Sequence, residues 1–456
     1  MSKEILGGYS ARVRALLSKH GVEAFSRVSL ALDDGRVIEG IVLPRPEFGD
    51  PDVLVVKLDN GYNIGIDVDR VKELKLVSPH RPAPLVELRL PHLKPGLPKV
   101  CMVSTGGTIA SRIDYKTGAV YPFFSAEEIY SMIPELEDLA FIKAETLFSI
   151  FSEDMTPQHW ERLAERIYET FEREKPAGVV VAHGTDTMAY SAAAMAFALR
   201  DLPGPVVFVG AQRSSDRPSS DTALNVICAV KTAVEAPFGE SVIVMHGSPS
   251  DDFCLVHRGV KARKCHTSRR DAFRSVNDVP LAVVRPGRPL AVTNHRYKPR
   301  NPQGPTLLNG FESKVALVKF YPGMSSELIE ALVDKGYKGV VLEGTGLGHI
   351  ATRLIPTVRR AVEEGVVIVM TSQCLWGRIN MNVYRTGVEL IKAGVVPAED
   401  MLPETAYVKL SWVLAHTADP QEARRLMLKN MAFEINPRNE ERYYPPVWWG
   451  VDVGKP

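Results

Sequence analysis

The pattern of apolar and polar positions changes twice along the chain, and each change predicts a different kind of structure. Residues 1–80 open on MSKEILGGYSARVRALLSKHG, a charged amphipathic stretch that suits one helix. Short alternating segments follow: Val28, Leu30 and Leu32, then Val37 to Leu43, Val53 to Leu58 and Tyr62 to Val68. Asp33-Asp34-Gly35 and Asp59-Asn60-Gly61 divide them, supplying the positive φ angles that tight hairpins need. Period-two strands with no helix between them predict a small all-β barrel. The segment 78–99 carries six prolines. Proline fixes φ and donates no N–H, so residues 81–99 read as an extended linker.

From residue 100 the period changes. VCMVSTGG, GVVVAHGT, PVVFVGA and SVIVMHG are unbroken apolar runs that end in glycine or polar residues. Such runs suit parallel strands covered on both faces. TPQHWERLAERIYETFERE and TALNVICAVKTAVEA lie between them with helical spacing. Residues 100–295 are therefore expected to form a doubly wound α/β domain with its chemistry at the carboxyl ends of the strands. A polar linker, 296–313, leads to a smaller α/β domain over 314–456. Its strands are KVALVKFYPG, GVVLEGTG and VVIVMTSQ, and its helices SSELIEALVDKG and ATRLIPTVRRAVEEG. The predicted fold class is α/β, with two α/β domains behind a small all-β barrel.

Composition narrows the function classes. The 456 residues are 45% hydrophobic and 24% charged, which excludes fibrous and wholly disordered chains. Lys and Arg total 55 against 54 Asp and Glu, so any contact with a polyanion must be a local patch. No run approaches the roughly 20 apolar residues of a membrane span, and the first residues lack an apolar signal core. A cytoplasmic protein is expected. Cys101, Cys228, Cys254, Cys265 and Cys374 form no CxxC, so neither a zinc site nor a disulfide framework is indicated. Buried, reduced thiols are expected.

Three segments carry candidate chemistry. Ser104-Thr105-Gly106-Gly107-Thr108-Ile109-Ala110 follows a strand directly. Its glycines let backbone approach a ligand, and Thr108 presents a hydroxyl at a strand end; a plain glycine turn is the alternative. His183-Gly184-Thr185-Asp186-Thr187 follows another strand and offers a hydroxyl beside a carboxylate, or simply a helix cap. VHRGVKARKCHTSRRDAFRSVN, residues 256–277, holds seven Lys or Arg and one Asp. It reads as a solvated or nucleic-acid-facing basic loop, or as the source of a lysine that activates a threonine hydroxyl.

TGGTIA and HGTDT, in this order on successive strand ends, resemble the paired signatures of the L-asparaginase/glutaminase amidohydrolases over roughly residues 97–430. The resemblance implies two α/β domains of asparaginase type and a catalytic set of two threonines, an aspartate and a lysine. By motif these are Thr108, Thr185 and Asp186, with Lys264 as the lysine; Lys261 is its rival, and Lys231 lies too early. It also implies that Ser152 and Glu153 hold the substrate's α-amino and carboxylate groups, with Gly107 and Gly184 lining the site and Tyr115 in a lid. Many asparaginases carry Gln where this chain has Glu153, which leaves the choice between glutamine and asparagine open. The implied reaction is acyl transfer. Thr108 attacks the side-chain amide; Thr185, backed by Lys264 and Asp186, serves the proton transfers or the attacking water; backbone N–H groups near the glycines hold the oxyanion. Which threonine attacks first stays open. No metal or organic cofactor is implied for this half-reaction.

The barrel and linker exceed what a lone amidohydrolase of this family needs. The layout, with GGTIASRIDYKTGAVYPFFSAEE and ARKCHTSRRDAFRSVN, is similar to the D-subunit family of archaeal glutamyl-tRNA(Gln) amidotransferases. That resemblance implies a glutaminase that supplies ammonia to a partner, the amidotransferase E subunit. The partner would use ATP and Mg to convert Glu-tRNA(Gln) to Gln-tRNA(Gln) and would make most of the tRNA contacts. A homodimer within a heterotetramer is implied. A free-standing L-asparaginase, and an RNA-binding module with a vestigial amidase, are the competing readings. ERYYPPVWWGVDVG at the C-terminal end is either an interface anchor or packs on its own domain, and GTGLGH at 344–349 reads as a strand-end loop.

Overall fold

The computed structural model describes residues 6, 8–45, 49–59, 63–79, 94–107, 111–113, 120–122, 125–213 and 220–444. Thr108, Tyr115, residues 80–93 of the proline-rich segment and 445–456 of the aromatic tail lie outside the described residues.

The first unit begins with α1 (Ala11–Lys19), capped by the Ser10 side chain, which accepts from the Val13 amide. Val13 and Leu17, one turn apart, are its buried face. Five antiparallel strands follow: β1 (Arg27–Leu32), β2 (Val37–Val42), β3 (Val53–Lys57), β4 (Asn63–Asp67) and β5 (Val71–Ser78), in the order β4-β3-β2-β1-β5. Val28, Leu30 and Leu32 of β1 point inward on every second residue, as the alternation predicts. They meet Val42, Leu54, Val56, Ile66 and Leu74 in one core that also takes Tyr9, Val13 and Leu17. Register shifts at both ends of the β1–β5 ladder bend the sheet around that core.

The larger α/β domain is an eight-stranded sheet. Its parallel part is β6 (Lys99–Ser104), β7 (Phe141–Thr146), β8 (Gly178–Ala182), β9 (Val206–Val209) and β10 (Ser241–His246). Beyond β10 the sheet turns antiparallel with β11 (Cys254–Arg258), and a side hairpin of β12 (Ala262–Lys264) and β13 (Phe273–Ser275) branches off. β14 (Ala282–Val284) and β15 (Ala291–Val292) complete the order β15-β14-β11-β10-β9-β8-β6-β7. The stretch 256–277, open as a basic loop on sequence grounds, thus contains the end of β11 and both strands of the side hairpin, joined by a 3-10 turn and a loop. Its charges hid the pattern, because the buried Arg258 breaks the apolar run.

Helices cover both faces. α2 (Ala126–Met132) and α5 (Thr222–Glu235) pack on one, α3 (Pro157–Glu174) and α4 (Met188–Ala198) on the other. Pro157 starts α3 where its missing N–H costs nothing, and the His159 ring accepts from the Thr156 amide at 3.1 Å to close a capping box. The smaller domain is a parallel sheet of β16 (Val315–Lys319), β17 (Gly339–Gly344), β18 (Val367–Ser372) and β19 (Val396–Pro397) in sequential order. α6 (Glu327–Asp334), α7 (Ile355–Glu363), α8 (Arg385–Lys392), α9 (Pro403–His416) and α10 (Pro420–Leu428) surround it.

The two α/β domains share a core. α4, MAYSAAAMAFA, is mostly alanine and nearly all buried, so α9 lies directly against it. Phe197 stacks on Trp412 at 6.3 Å, and the apolar cluster runs from Trp160 and Leu163 through to Val341, Val369 and Leu410. Cys101, Cys228 and Cys254 are buried as expected, but Cys265 and Cys374 are exposed; both follow a strand end, where the chain leaves the sheet. Among the described residues, no helix is long and apolar enough to cross a membrane.

Two buried features set testable limits on stability. Lys409 and Glu434 are fully buried and paired at 2.6 Å, with the ammonium also held by the carbonyls of Met427 and Lys429. Glu434→Ala leaves that cation unpaired and is expected to cost about 3–5 kcal/mol, whereas Lys409→Met/Glu434→Leu costs far less; denaturant midpoints of the two variants check this. His183 and His257 are also buried, and desolvation lowers their imidazoles to about 4 and about 3. An unfolded chain protonates both below about pH 6.5. Stability is therefore full above that pH and is lost as pH falls toward 4. His257→Gln removes one such proton, and its unfolding free energy should fall less steeply by about 1.4 kcal/mol per pH unit between roughly pH 6 and 4.

Candidate active site

The carboxyl ends of β6 and β8 meet the loop after β7, and three glycines let them do so. Gly106 and Gly107 have φ of +108° and +82°, a region that L side chains rarely enter. A Cβ on Gly106 would stand 2.3 Å from the Ile150 carbonyl oxygen, and one on Gly107 2.6 Å from the Gly184 nitrogen. A Cβ on Gly184 would stand 2.8 Å from that of Ser152. The sequence TGG–HG is therefore a packing requirement as well as a motif: three backbones touch where side chains cannot fit.

The strand ends are pinned from below. Thr105 donates through both its amide (2.9 Å) and its hydroxyl (3.1 Å) to the Ala182 carbonyl. The Gly106 amide donates to Ser104 Oγ at 3.3 Å. Of the N–H groups near the glycines that sequence offered to an oxyanion, these two are taken by the fold. His183 is fully buried; its ring bonds Ser191 Oγ at 2.8 Å, and Ser191 Oγ accepts from the Trp160 indole at 3.0 Å. Burial keeps its imidazole neutral, with a pKa of about 4, so His183 anchors the loop to α3 and α4.

Thr185 and Asp186 do not cap α4. Thr187 is the N-cap residue, and its hydroxyl donates to the Ser152 carbonyl across the loop. The Lys264 ammonium donates to Thr185 Oγ1 at 2.9 Å and to Asp186 Oδ1 at 2.8 Å. Thr185 is buried and the Lys264 side chain 13% exposed, while that of Asp186 is 69% exposed. Hydroxyl, ammonium and carboxylate thus form one contiguous chain from the interior to the mouth of the site.

Ser152 is buried at the start of a 3-10 turn, and Glu153 beside it is exposed; Ser152 Oγ donates to Glu153 Oε2 at 3.4 Å. The structure therefore brings Gly107, Ser152, Glu153, Gly184, Thr185, Asp186 and Lys264 together, while Thr108 and Tyr115 are not among the described residues. Lys261 is elsewhere: fully buried, it donates to Asp400 Oδ2 at 2.8 Å.

The basic stretch is electrically satisfied. Arg258 pairs with Glu240 and Asp278, Lys261 with Asp400, Arg263 with Glu404 and Lys264 with Asp186. Arg269 and Arg274 share Asp271, and Arg270 pairs with Asp251. All seven cations face a carboxylate, which removes the argument for a nucleic-acid-facing loop. Sequence reading missed Asp400 and Glu404, the acids that the second domain sends to this stretch; an acid just before or within a helix start is ordinarily taken for a cap. Among the described residues, no group of three or more His, Cys, Asp or Glu is placed to hold a metal ion.

Comparison with known proteins follows the same division of the chain. The family models for the asparaginase N-terminal domain, the glutaminase/asparaginase C-terminal domain and the GatD N-terminal domain match residues 99–297, 314–427 and 22–77. The thermostable L-asparaginase from Thermococcus kodakarensis superposes with a TM-score of 0.67 at 32% identity, covering 74% of this chain and 99% of that one. L-asparaginase I from Vibrio cholerae gives 0.66 at 28% identity, covering 75% and 100%. Both leave about a quarter of the chain unmatched. The glutamyl-tRNA(Gln) amidotransferase D subunit from Thermofilum pendens is 60% identical, over 97% of this chain and 99% of its own. Its namesake from Pyrococcus furiosus is 53% identical over 93% and 98%. With the all-β unit and both α/β domains matched along nearly the whole length, the chain belongs to the family of glutamyl-tRNA(Gln) amidotransferase D subunits.

Proposed function

We propose that this chain hydrolyses glutamine and delivers the ammonia to a synthetase partner, the amidotransferase E subunit. The partner converts Glu-tRNA(Gln) to Gln-tRNA(Gln), and ATP and Mg act there. The observation that carries the hydrolytic part is the single lysine ammonium shared between the Thr185 hydroxyl and the Asp186 carboxylate beside the glycines that bring the strand ends together. The 60% identity to a D subunit of the amidotransferase, over a length that includes the all-β unit, supports the delivery part. A homodimer within a heterotetramer is the assembly proposed.

Each group has a task. The Thr108 hydroxyl attacks the side-chain amide carbon of glutamine, the C–N bond breaks, and ammonia leaves with a proton from the site. A glutamyl-threonine ester remains. Thr185 orients the water that cleaves it; the Lys264 cation lies 2.9 Å from the Thr185 oxygen and stabilises negative charge developing there. Asp186 holds Lys264 in line and faces solvent, a path for the proton. Ser152 and Glu153 receive the amino-acid end of the substrate.

A free-standing L-asparaginase is the second reading, favoured by the two solved structures. It leaves the all-β unit without a role. The RNA-binding reading has lost its basic loop to internal ion pairs.

Thr185→Ala is expected to abolish glutamine-dependent formation of Gln-tRNA(Gln) in the reconstituted complex while free ammonium still supports it. Loss of both activities, or strong asparagine hydrolysis by the chain alone, overturns the reading. Gly107→Ala should lower kcat/KM for glutamine by about a hundredfold or more, because its Cβ would force the His183–Gly184 backbone away. Gly96→Ala is the control: φ is again +82°, but its Cβ meets nothing within 4 Å, and activity should be kept.

A further inference from the structure

The strand that presents Lys264 is held from behind by the other domain. β12 begins straight after Lys261, and side chains along it leave alternately to opposite sides. Lys264 goes toward Thr185 and Asp186. Lys261 and Arg263 go the other way, each to a carboxylate of the smaller domain near the start of α9. Lys261 Nζ donates to Asp400 Oδ2 at 2.8 Å and to the Asp400 carbonyl at 3.2 Å. Arg263 Nε is 3.1 Å from Glu404 Oε1. The Thr405 hydroxyl also donates to the Val260 carbonyl at 2.9 Å.

These contacts exceed what docking needs. A shared apolar core already joins the domains, and burying ions there is costly unless geometry is good. Lys261 is 0% exposed, Asp400 2%, and the Glu404 side chain 12%. Glu404 keeps a second oxygen, Oε2, with no hydrogen-bond partner among the described residues, and burial raises its carboxyl. What the pairs do achieve is to fix the residue just before the strand, Lys261, and its middle residue, Arg263, and therefore the direction in which Lys264 leaves it. β12 has only three residues and, among the described residues, a single ladder neighbour, β13, so backbone pairing alone leaves that direction loosely set.

We propose that Asp400 and Glu404, through Lys261 and Arg263, are positioning residues that aim Lys264 at Thr185 and Asp186, so that the smaller domain sets the turnover of a site built on the larger one. This rests on Lys264 being the lysine of the reaction.

The test removes one clamp with both of its charges, so that no ion is left unpaired: Arg263→Met/Glu404→Leu in the full-length chain with its partner. Glutamate release gives kcat and KM, and thermal midpoints report folding. The expected result is a fall in kcat of about ten- to a hundredfold with KM within about twofold, at a near-parental midpoint. In a Lys264→Arg background the same pair of substitutions should add no further fall, because the clamp acts only through residue 264. If the double variant does not fold, Glu404→Gln, which keeps the shape and loses the charge, is expected to show a smaller fall in kcat with KM unchanged. A folded variant with parental kcat, or a fall that multiplies in full in the Lys264→Arg background, overturns the positioning role. Lys264→Met separates the two levels: parental turnover there removes Lys264 from the reaction and the proposal with it, whereas an inactive Lys264→Met beside an unaffected Arg263→Met/Glu404→Leu removes the positioning role alone.

Discussion

Asp400 bears a buried negative charge that several elements must answer at once. Lys261 supplies the countercharge at 2.8 Å, Asn436 donates to both carboxylate oxygens at 2.8 Å, and Asn277 donates to the backbone carbonyl at 3.0 Å. An ion at 2% exposure is tolerable only if every one of these partners is in place. The constraint therefore ties together β12, the turn after β13, the entry to α9 and the segment beyond α10. Around this fixed point the two α/β domains form one body, with the alanine-rich α4 giving α9 room to lie close.

The site follows from two further economies of space and charge. Space is saved by glycine: at 106, 107 and 184 any side chain would collide with backbone or with Ser152. Charge is balanced locally: a stretch with seven cations and one acid of its own borrows carboxylates from Glu240, Asp251, Asp278, Asp186, Asp400 and Glu404. A cation placed between a hydroxyl and an exposed carboxylate, with its neighbours already neutralised, acts on the one group left near it. That is how a composition that looked like a nucleic-acid patch comes to place one ammonium against a buried hydroxyl.

The alternation of Val28, Leu30 and Leu32 and the unbroken runs at 100–104, 178–182 and 241–246 were legible because apolar burial writes itself into the sequence as a period. β7 was harder to see, since Phe141–Thr146 exposes a mixed edge. β11 was hidden by Arg258, a charge made tolerable by acids that lie far off in the chain. The exposed Cys265 and Cys374 ran against the usual burial of thiols because each follows a strand end.

Sequence by itself determined the classes of element, their order, and the motif residues at strand ends, because those depend on local propensity and on glycine's freedom of φ. It also narrowed the lysine to Lys264 or Lys261. Only the tertiary structure shows what each one faces: two cations three residues apart have the same local chemistry, and the difference lies in the partners that surround them. On one side stand Thr185 and Asp186; on the other stands Asp400, more than a hundred residues later in the chain. Partners so distant in sequence leave no periodic trace, and only folding places them.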